Sequence, residues 1–333
     1  MADHKTPLLQ VRDLQVHFPV PMVGAWPWAP WGKVKAVDGV SFDLSAGQTL
    51  GVVGESGCGK STLARALLNL HPATAGSMVW NGKQMIGASQ ADWMAVRKDI
   101  QMVFQDPLAS LNPRMTAGQI IGEPLRIHRP EVSAGERAQK VRALMDRVGL
   151  TSQQVNRYPH EFSGGQCQRI GIARALILEP QLVVCDEPVS ALDVSIQAQI
   201  VNLLAELQKD LGLALLFIAH DLAVVRHISQ RVMVMYLGRT MEIASREALY
   251  SSARHPYSRA LLSAIPILDP EMERNRSRQL LVGELPSPLN PPSGCVFHTR
   301  CPQAQANCSL GVPDLQSDVR ANQLACHYPD ARA

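Results

Sequence analysis

The chain has 333 residues, enough for about two domains of ordinary size. Apolar residues make up 46% of it and charged residues 18%, which is typical of a globular protein and excludes a disordered one. A net charge of +3 without a basic block, and an aromatic content of 5%, give little support to nucleic-acid binding.

The pattern predicts neither a membrane span nor a signal peptide. The longest apolar stretch, Leu213 to Ala219, has the length of a buried strand, whereas a membrane helix needs about 18–20 residues. Residues 1–14 alternate between polar and apolar types and contain no signal-peptide core. We therefore expect a chain that crosses no membrane by itself and lies in the cytoplasm.

The first part of the chain predicts two strands separated by a loop. Residues 8–18 alternate like a half-buried strand, and residues 34–44 do so again. Residues 19–33, between them, are rich in Pro, Gly and Trp and predict an extended loop. Its tryptophans are Trp26, Trp28 and Trp31. We expect either an apolar flap packed on its own domain or a contact with a partner subunit.

A glycine-rich turn follows the apolar strand 49–53 and precedes a helix from about Lys60. The turn has the pattern G-x-x-x-x-G-K-[ST], in which glycines let backbone N–H groups curl around a β-phosphate at the start of a helix. Lys60 would reach the β- and γ-phosphate oxygens, and the Ser61 hydroxyl would bind Mg²⁺. The predicted ATP-binding residues of this loop are Gly54, Glu55, Ser56, Gly57, Cys58, Gly59, Lys60, Ser61 and Thr62.

Two carboxylates follow a second apolar strand, residues 182–186. Asp186 would hold Mg²⁺, often through water. Glu187, one residue further, would orient and deprotonate the water that attacks the γ-phosphate. Beside a P-loop, this pair predicts the catalytic carboxylates of a nucleoside triphosphatase.

Three further residues are predicted to contact the nucleotide or its water. Gln105 ends the predicted strand 100–104 and could touch Mg²⁺ or the attacking water at a hinge. His220 ends the strand 215–219 and is predicted to contact the γ-phosphate. Phe18 could stack on adenine, or it could be an ordinary core aromatic of its strand.

A second glycine-rich helix start lies between the P-loop and the catalytic carboxylates. It follows Phe162, and small residues with free N–H groups at a helix start predict a second anion site. Its residues are Ser163, Gly164, Gly165 and Gln166. A loop shortly after Glu187 is predicted to contact another subunit, through Ser190, Ala191, Leu192 and Asp193.

These motifs resemble those of ABC-transporter ATPases, over about residues 8–250 and in the family's order and spacing. Phe162, where the family usually has Leu, is a small departure that is expected to cost no function. The corresponding motifs are Walker A at 54–62, the Q-loop at Gln105, the signature at 163–166, Walker B at 182–187, the D-loop at 190–193 and the switch histidine His220.

The resemblance implies an α/β fold with a P-loop RecA-like ABC ATPase core, an antiparallel β subdomain and a helical subdomain at about residues 107–178. Near residue 250 the regular pattern fades and prolines become frequent. We therefore expect an ABC nucleotide-binding domain at residues 1–250 and a small C-terminal extension at residues 251–333.

One branch of the family is especially similar. Residues 104–114 (FQDPLASLNPR) resemble the Q-loop segment of oligopeptide and dipeptide importers, and so does His255-Pro256-Tyr257 followed by residues 260–262. The segment 283–295 is similar to the C-terminal extension of that branch. The chain looks most like the F-type ATPase subunit of a dipeptide or oligopeptide permease.

This resemblance implies an ATPase that powers peptide uptake across the inner membrane, with ATP and Mg²⁺ as cofactors. It would pair head-to-tail as a heterodimer with a paralogous D-type ATPase, so that ATP lies between the Walker A of one subunit and the signature of the other. Its Q-loop and helical subdomain would grip two transmembrane permease subunits at the cytoplasmic face of the bacterial inner membrane. A periplasmic substrate-binding protein would deliver the peptide.

Importers of other cargoes, and soluble ABC-type ATPases, share part of this sequence pattern. Nickel, glutathione and murein-peptide importers use near-identical ATPases, and the ATPase never touches the cargo. A soluble ABC-type ATPase acting on DNA or ribosomes fits less well. The interval between Lys60 and Ser163 is too short for a long coiled coil, and the chain has one cassette rather than two.

Four of the seven cysteines crowd the C-terminal end with the spacing C-x5-C-x6-C-x17-C. Structural zinc usually prefers C-x2–4-C pairs, whereas a Cys-Pro pair such as Cys301-Pro302 also occurs in iron–sulfur ligation. Four thiolates without a histidine pattern suit a [4Fe–4S] cluster, and the tail resembles ones that carry it. Zinc, free thiols or disulfides are the alternatives. The suspected ligands are Cys295, Cys301, Cys308 and Cys326.

Overall fold

The structure is a computed structural model that describes residues 7–21, 31–266, 281, 283–318 and 322–329. The chain forms two compact units. Among the described residues, the first unit contains residues 44–49 and 87–219. The second contains residues 7–43, residues 50–86 and the described residues from 220 onward.

The first unit contains three parallel strands, with β7 between the other two. Every residue of β7 and β8 is buried, as expected for apolar runs covered on both faces. The strands are β6 (Ile100–Val103), β7 (Leu182–Asp186) and β8 (Ala214–Ile218). The predicted strands at these places are confirmed, and Gln105, Asp186 and Glu187 all lie at or just beyond the carboxyl ends of neighbouring strands.

The helices of the first unit, except the one that follows Asp193, begin at residues whose side chains cap them. The side chains of Thr116, Ser133 and Ser163 each accept a hydrogen bond from the backbone of the first turn that follows. These helices are α2 (Gln90–Val96), α3 (Ala117–His128), α4 (Ala134–Arg147), α5 (Gly164–Leu176) and α6 (Val194–Leu211). Helix α3 packs against α4 and α5, within the range predicted as a helical subdomain.

The second unit contains two sheets. One is antiparallel, in the order β2-β1-β4-β5. In the other, β3 is parallel to β9, and β10, β12 and β11 continue antiparallel from there. The strands are β1 (Leu9–Val20), β2 (Gly32–Leu44), β3 (Thr49–Val53), β4 (Ala75–Trp80), β5 (Lys83–Gln84), β9 (Arg231–Tyr236), β10 (Arg239–Ser245), β11 (Gln316–Ser317) and β12 (Gln323–Leu324).

The helices of the second unit are short: α1 (Lys60–Leu67), α7 (Leu222–Ile228), α8 (Arg246–Ser252) and α9 (Pro256–Ser263). Helix α1 follows β3 through the glycine-rich turn, so the predicted strand–turn–helix is confirmed. Among the residues that the structure describes, no helix is both long and apolar enough to cross a membrane.

The C-terminal extension is part of the second unit, although its described residues form few regular elements. Strand β12 pairs with β10, and short 3₁₀ turns lie at 298–300 and 306–309. The fully buried Phe297 contacts Tyr236 and Tyr257, with ring centroids 5.2 Å away in each case. Within the extension, Phe297 and the start of α9 therefore form an aromatic core together with the end of β9.

Only part of the tryptophan-rich loop is described. Trp31 lies just before β2 and is 61% exposed. Trp26 and Trp28 lie outside the described residues. The use of this loop as a flap or as a subunit contact stays a prediction.

Candidate nucleotide site

The P-loop depends on Gly59, which caps α1 in a left-handed conformation with φ 102°. A Cβ at this position would overlap the backbone carbonyl oxygen of Ala36, in β2. On the same side of the loop, the N–H of Gly238 donates to the carbonyl of Cys58 at 2.8 Å. The loop is thus packed on backbone, and Gly59 is required by close approach as well as by φ.

Lys60 is 4% exposed, and its ammonium group lies against the loop itself. Its Nζ donates to the carbonyl oxygens of Gly54 at 2.8 Å and Glu55 at 3.1 Å. Burial raises the pKa of the nearby Cys58 thiol, so that side chain stays uncharged at neutral pH. The positive charge of Lys60 is therefore held at the loop, as binding of phosphate oxygens requires.

Glu55 has two partners that the sequence analysis missed. Its carboxylate accepts two hydrogen bonds from Arg300, and its N–H donates to the Tyr257 hydroxyl at 3.0 Å. Arg300 lies 245 positions away along the chain, so no local pattern could have paired it with the P-loop.

The catalytic carboxylate predicted at Glu187 lies just beyond β7, with its backbone in the left-handed region at φ 46°. Its N–H donates to the carbonyl of Ile218 at 3.0 Å. Gln105 Nε2 donates to Glu187 Oε2 at 3.0 Å. The structure therefore brings these two predicted residues into contact, next to the buried Asp186. A left-handed non-glycine residue is uncommon and occurs often at active sites.

The predicted signature residues form the start of α5. The Ser163 hydroxyl accepts from the N–H of Gln166 at 3.4 Å, and Gln166 Oε1 accepts from the N–H of Ser163 at 2.9 Å. This capping box fixes the first turn, while Gly164 and Gly165 keep it free of bulky side chains. A Cβ on Gly165 would come within 2.6 Å of Ile196 Cγ2, so the turn packs closely on α6.

The D-loop and the Q-loop segment are both tied to these residues within the first unit. The Ser190 hydroxyl donates to the carbonyl of Glu187 at 3.1 Å, and the Leu192 side chain would be 3.5 Å from a Cβ on Gly164. Arg174, on α5, donates to the carbonyl of Ser110 at 2.6 Å. The signature helix therefore contacts the Q-loop segment through Arg174, a residue given no role above.

His220 and Phe18 have surroundings that leave their predicted roles untested. His220 is exposed and lies between β8 and Asp221, which caps α7. Phe18 is half-buried in β1, and its ring meets that of His71 edge-on at 5.2 Å. Their contacts with γ-phosphate and adenine stay predictions.

The four C-terminal cysteines lie within electrostatic range of one another. Burial, and then the neighbouring thiols Cys295, Cys301 and Cys308, raise the pKa of Cys326 to about 11. The N–H of Cys295 donates to the carbonyl of Cys308 at 2.8 Å, which ties the two segments together. The four predicted ligands are therefore gathered in one region.

The two nearby histidines each use one ring nitrogen on the backbone. His298 Nδ1 lies 2.8 Å from the carbonyl of Cys295, and His327 Nε2 lies 2.9 Å from that of Gly311. Within the described ranges, no group of three or more His, Cys, Asp or Glu side chains is placed so that it could hold a metal ion. The four thiols are nevertheless the donor set of a four-thiolate centre.

The glycine-rich turn before α1 and the capped, glycine-lined start of α5 both have the local structure predicted for motifs of an ATP-binding cassette ATPase. The chain belongs to the ABC transporter family: residues 37–190 match the family described as ABC transporter. Residues 241–308 match a second family, described as the oligopeptide/dipeptide transporter C-terminal region. The predicted family, fold class and ATPase activity are confirmed.

Curated relatives match over nearly the whole chain. The oligopeptide transport ATP-binding protein OppF of Escherichia coli K12 is 61% identical, over 96% of this chain and 95% of the relative. OppF of Salmonella typhimurium LT2 is 59% identical, over 96% of each. Among solved structures, the post-hydrolysis dimer of the cassette MJ0796 bound to ADP and Pi has a TM-score of 0.63 at 25% identity. It covers 72% of this chain and 98% of that one.

Proposed function

We propose that this chain is the ATP-hydrolysing subunit of an ABC importer of di- and oligopeptides. The observation that carries the proposal is the extension, which matches the oligopeptide/dipeptide transporter region and folds onto the unit that holds the P-loop. The similarity to oligopeptide transport proteins over nearly the full chain supports the same cargo.

In the proposed mechanism, the P-loop and Lys60 bind the phosphates of ATP, and Phe18 stacks on adenine. Mg²⁺ would be held by Ser61 and Asp186, with Gln105 beside it. Glu187 takes a proton from the attacking water, and its hydrogen bond with Gln105 supports an orienting role for that amide. His220 contacts the γ-phosphate.

The signature of this chain would act on the ATP bound by a partner. We propose a head-to-tail heterodimer with a paralogous D-type ATPase, in which residues 163–166 cover the partner's nucleotide and residues 190–193 line the contact. Support comes from the capped, glycine-lined start of α5, since such helix starts bind anions through backbone N–H groups.

The transmembrane partners are proposed to dock on the helical part of the first unit. A groove there is lined by Arg114, Glu123, Arg126 and Arg137 together with apolar residues such as Val141. This mixture of charge and apolar surface suits a short amphipathic helix of a permease subunit. The ATPase would therefore sit peripherally at the cytoplasmic face of the inner membrane, and a periplasmic binding protein would supply the cargo.

The cargo is tested with the reconstituted complex and its binding protein. We expect di- to pentapeptides to raise the ATPase rate several-fold, because loaded binding protein favours the closed ATPase dimer. Glutathione, murein peptides and Ni²⁺ are the comparison ligands, and a complex with Glu187→Gln gives the background rate. Stimulation by glutathione or Ni²⁺ alone would support an ABC importer but reject peptides as its cargo.

We further propose that Cys295, Cys301, Cys308 and Cys326 bind a [4Fe–4S] cluster. Support comes from four thiols gathered in one proline-rich segment, with both neighbouring histidines hydrogen-bonded to backbone carbonyls. Burial raises the pKa values of Cys295, Cys301 and Cys326, so bound metal must displace protons from these thiols. A bound cluster would crosslink a segment that has little regular structure.

Anaerobic purification of the full chain tests this cluster. We expect absorbance at about 400 nm and about four irons per chain. Cys326→Ser should lose both, whereas Cys167→Ser, at a buried thiol outside the tail, should keep them. Stoichiometric zinc without this absorbance would replace the cluster by a zinc site.

A further inference from the structure

The P-loop contains a carboxylate that is paired with the C-terminal extension. Arg300 NH1 donates to Glu55 Oε2 at 2.7 Å and NH2 donates to Oε1 at 3.2 Å, so the pair is bidentate. The side chains are 8% and 26% exposed, respectively. Bidentate pairs of this kind are stronger than single hydrogen bonds and fix orientation, and partial burial protects this one from screening by salt.

Arg300 is itself held by the aromatic core of the extension. Its guanidinium lies 5.9 Å from the ring centroid of Tyr236 and 3.4 Å from that hydroxyl. Phe297, three residues earlier, packs on Tyr236 and Tyr257. Tyr257 accepts from the N–H of Glu55. Two residues beyond the ATPase motifs therefore bind one P-loop residue from separate directions.

The position of Glu55, which Arg300 and Tyr257 fix, also affects Lys60. Its carbonyl accepts from Lys60 Nζ at 3.1 Å and from the N–H of Cys58 at 3.3 Å. The N–H, the carbonyl and the carboxylate of Glu55 are all engaged at once. A shift of Glu55 would move a partner of the lysine that binds the phosphates.

The charge of Arg300 matters as well as its geometry. A phosphate loop that carries a carboxylate repels the anion it binds, unless a cation neutralises that carboxylate. Arg300 provides this cation, and no residue of the P-loop itself is hydrogen-bonded to the Glu55 carboxylate in the described structure.

We propose that the C-terminal extension is part of the nucleotide site. Arg300 is a positioning residue that neutralises Glu55 and fixes the P-loop, and Tyr257 assists it. The extension thereby sets the affinity for ATP. This role depends on the proposed ATPase function. It does not depend on which cargo is transported or on whether the cysteines bind a metal.

The expected effect of Arg300→Met is a loss of ATP affinity of about tenfold, the size of one charge-assisted pair. The hydrolysis rate at saturating ATP should change little, because Arg300 pairs with the P-loop residue Glu55, whereas the predicted catalytic residues Glu187 and Gln105 pair with each other. Adding Glu55→Gln to Arg300→Met should restore most of the affinity, since the unpaired negative charge is then removed. A residue needed only for stability would show no such rescue.

The test uses the full chain in its complex. Photolabelling with 8-azido-ATP, followed by electrophoresis, separates labelling of this chain from that of its partner ATPase and gives a chain-resolved affinity. Arg254→Met is the matched control, because Arg254 forms a 3.5 Å ion pair with Asp318 that does not involve the P-loop. This control should keep normal affinity.

Thermal unfolding of each variant separates the two roles. A lower unfolding temperature of Arg300→Met with unchanged labelling would overturn the proposal, and so would a double variant that binds no better than the single one. If Arg300→Met does not fold, Arg300→Lys decides. This variant retains the positive charge but loses the bidentate geometry. If the affinity for ATP is unchanged both in Arg300→Lys and in the single variant Glu55→Gln, the proposed role of Arg300 is rejected.

Discussion

A complex in which Glu187 is replaced by Gln is expected to bind ATP and fail to turn it over. Gln has nearly the same shape and can still accept from Gln105 Nε2, whose bond to Glu187 Oε2 is 3.0 Å, but it cannot take a proton from water. General-base catalysis contributes about 100-fold or more, so turnover by this site should fall by at least that factor. Retained radiolabelled ATP after gel filtration measures the trapped state.

The control for this variant is Glu206→Gln, at an exposed position on α6 of the same unit. It makes the same chemical change away from the strand ends and should hydrolyse ATP at the normal rate. Near-normal ATPase activity of the whole Glu187→Gln complex would mean that the partner's site carries hydrolysis. It would contradict a rate-limiting role for Glu187.

The parts of the site that could be predicted are motifs formed by consecutive residues of the chain. The P-loop, the capped signature and the apolar strand ending in Asp186 each need only neighbours along the chain, so their local structure followed from the pattern. Proximity of Gln105 to Glu187 could also be expected, because the carboxyl ends of neighbouring parallel strands share one edge.

What could not be predicted depends on contacts that are distant in sequence. The hairpin of β9 and β10 and the short strand β4 were missed, because their sequences show no clean alternation and their pairing partners are remote. The Arg300–Glu55 pair was missed for the same reason. A lone arginine among cysteines carries no signal for a loop 245 positions earlier.

Backbone strain was likewise invisible in the sequence. The left-handed backbone of Glu187 is imposed by its position between β7 and the loop that leads to Ser190. No residue type in this segment predicts that conformation. A glycine does indicate such a position. It does not show whether glycine is needed there for its backbone conformation or for the close approach of another atom. Two P-loop glycines with positive φ differ in this respect, because Gly59 approaches the backbone of Ala36 closely and Gly57 does not, which makes the distinction testable.

Gly59→Ala is expected to abolish ATP binding, whereas Gly57→Ala should only weaken it. Both glycines have positive φ, 102° and 77°. A methyl group at 59 would overlap the carbonyl oxygen of Ala36, which β2 holds in place, whereas a methyl group at 57 meets no atom of the described residues within 4 Å. Left-handed strain alone costs about 1–3 kcal/mol.

Labelling of the full chain by 8-azido-ATP should therefore fall below detection for Gly59→Ala and remain measurable for Gly57→Ala. Circular dichroism should show that both variants are folded, so that loss of binding is not loss of structure. Equal losses in the two variants would mean that φ, and not the contact with Ala36, limits the loop. Normal labelling of Gly59→Ala would mean that the turn can leave β2 without losing its phosphate contacts, and the packed P-loop described above would then not be the binding conformation.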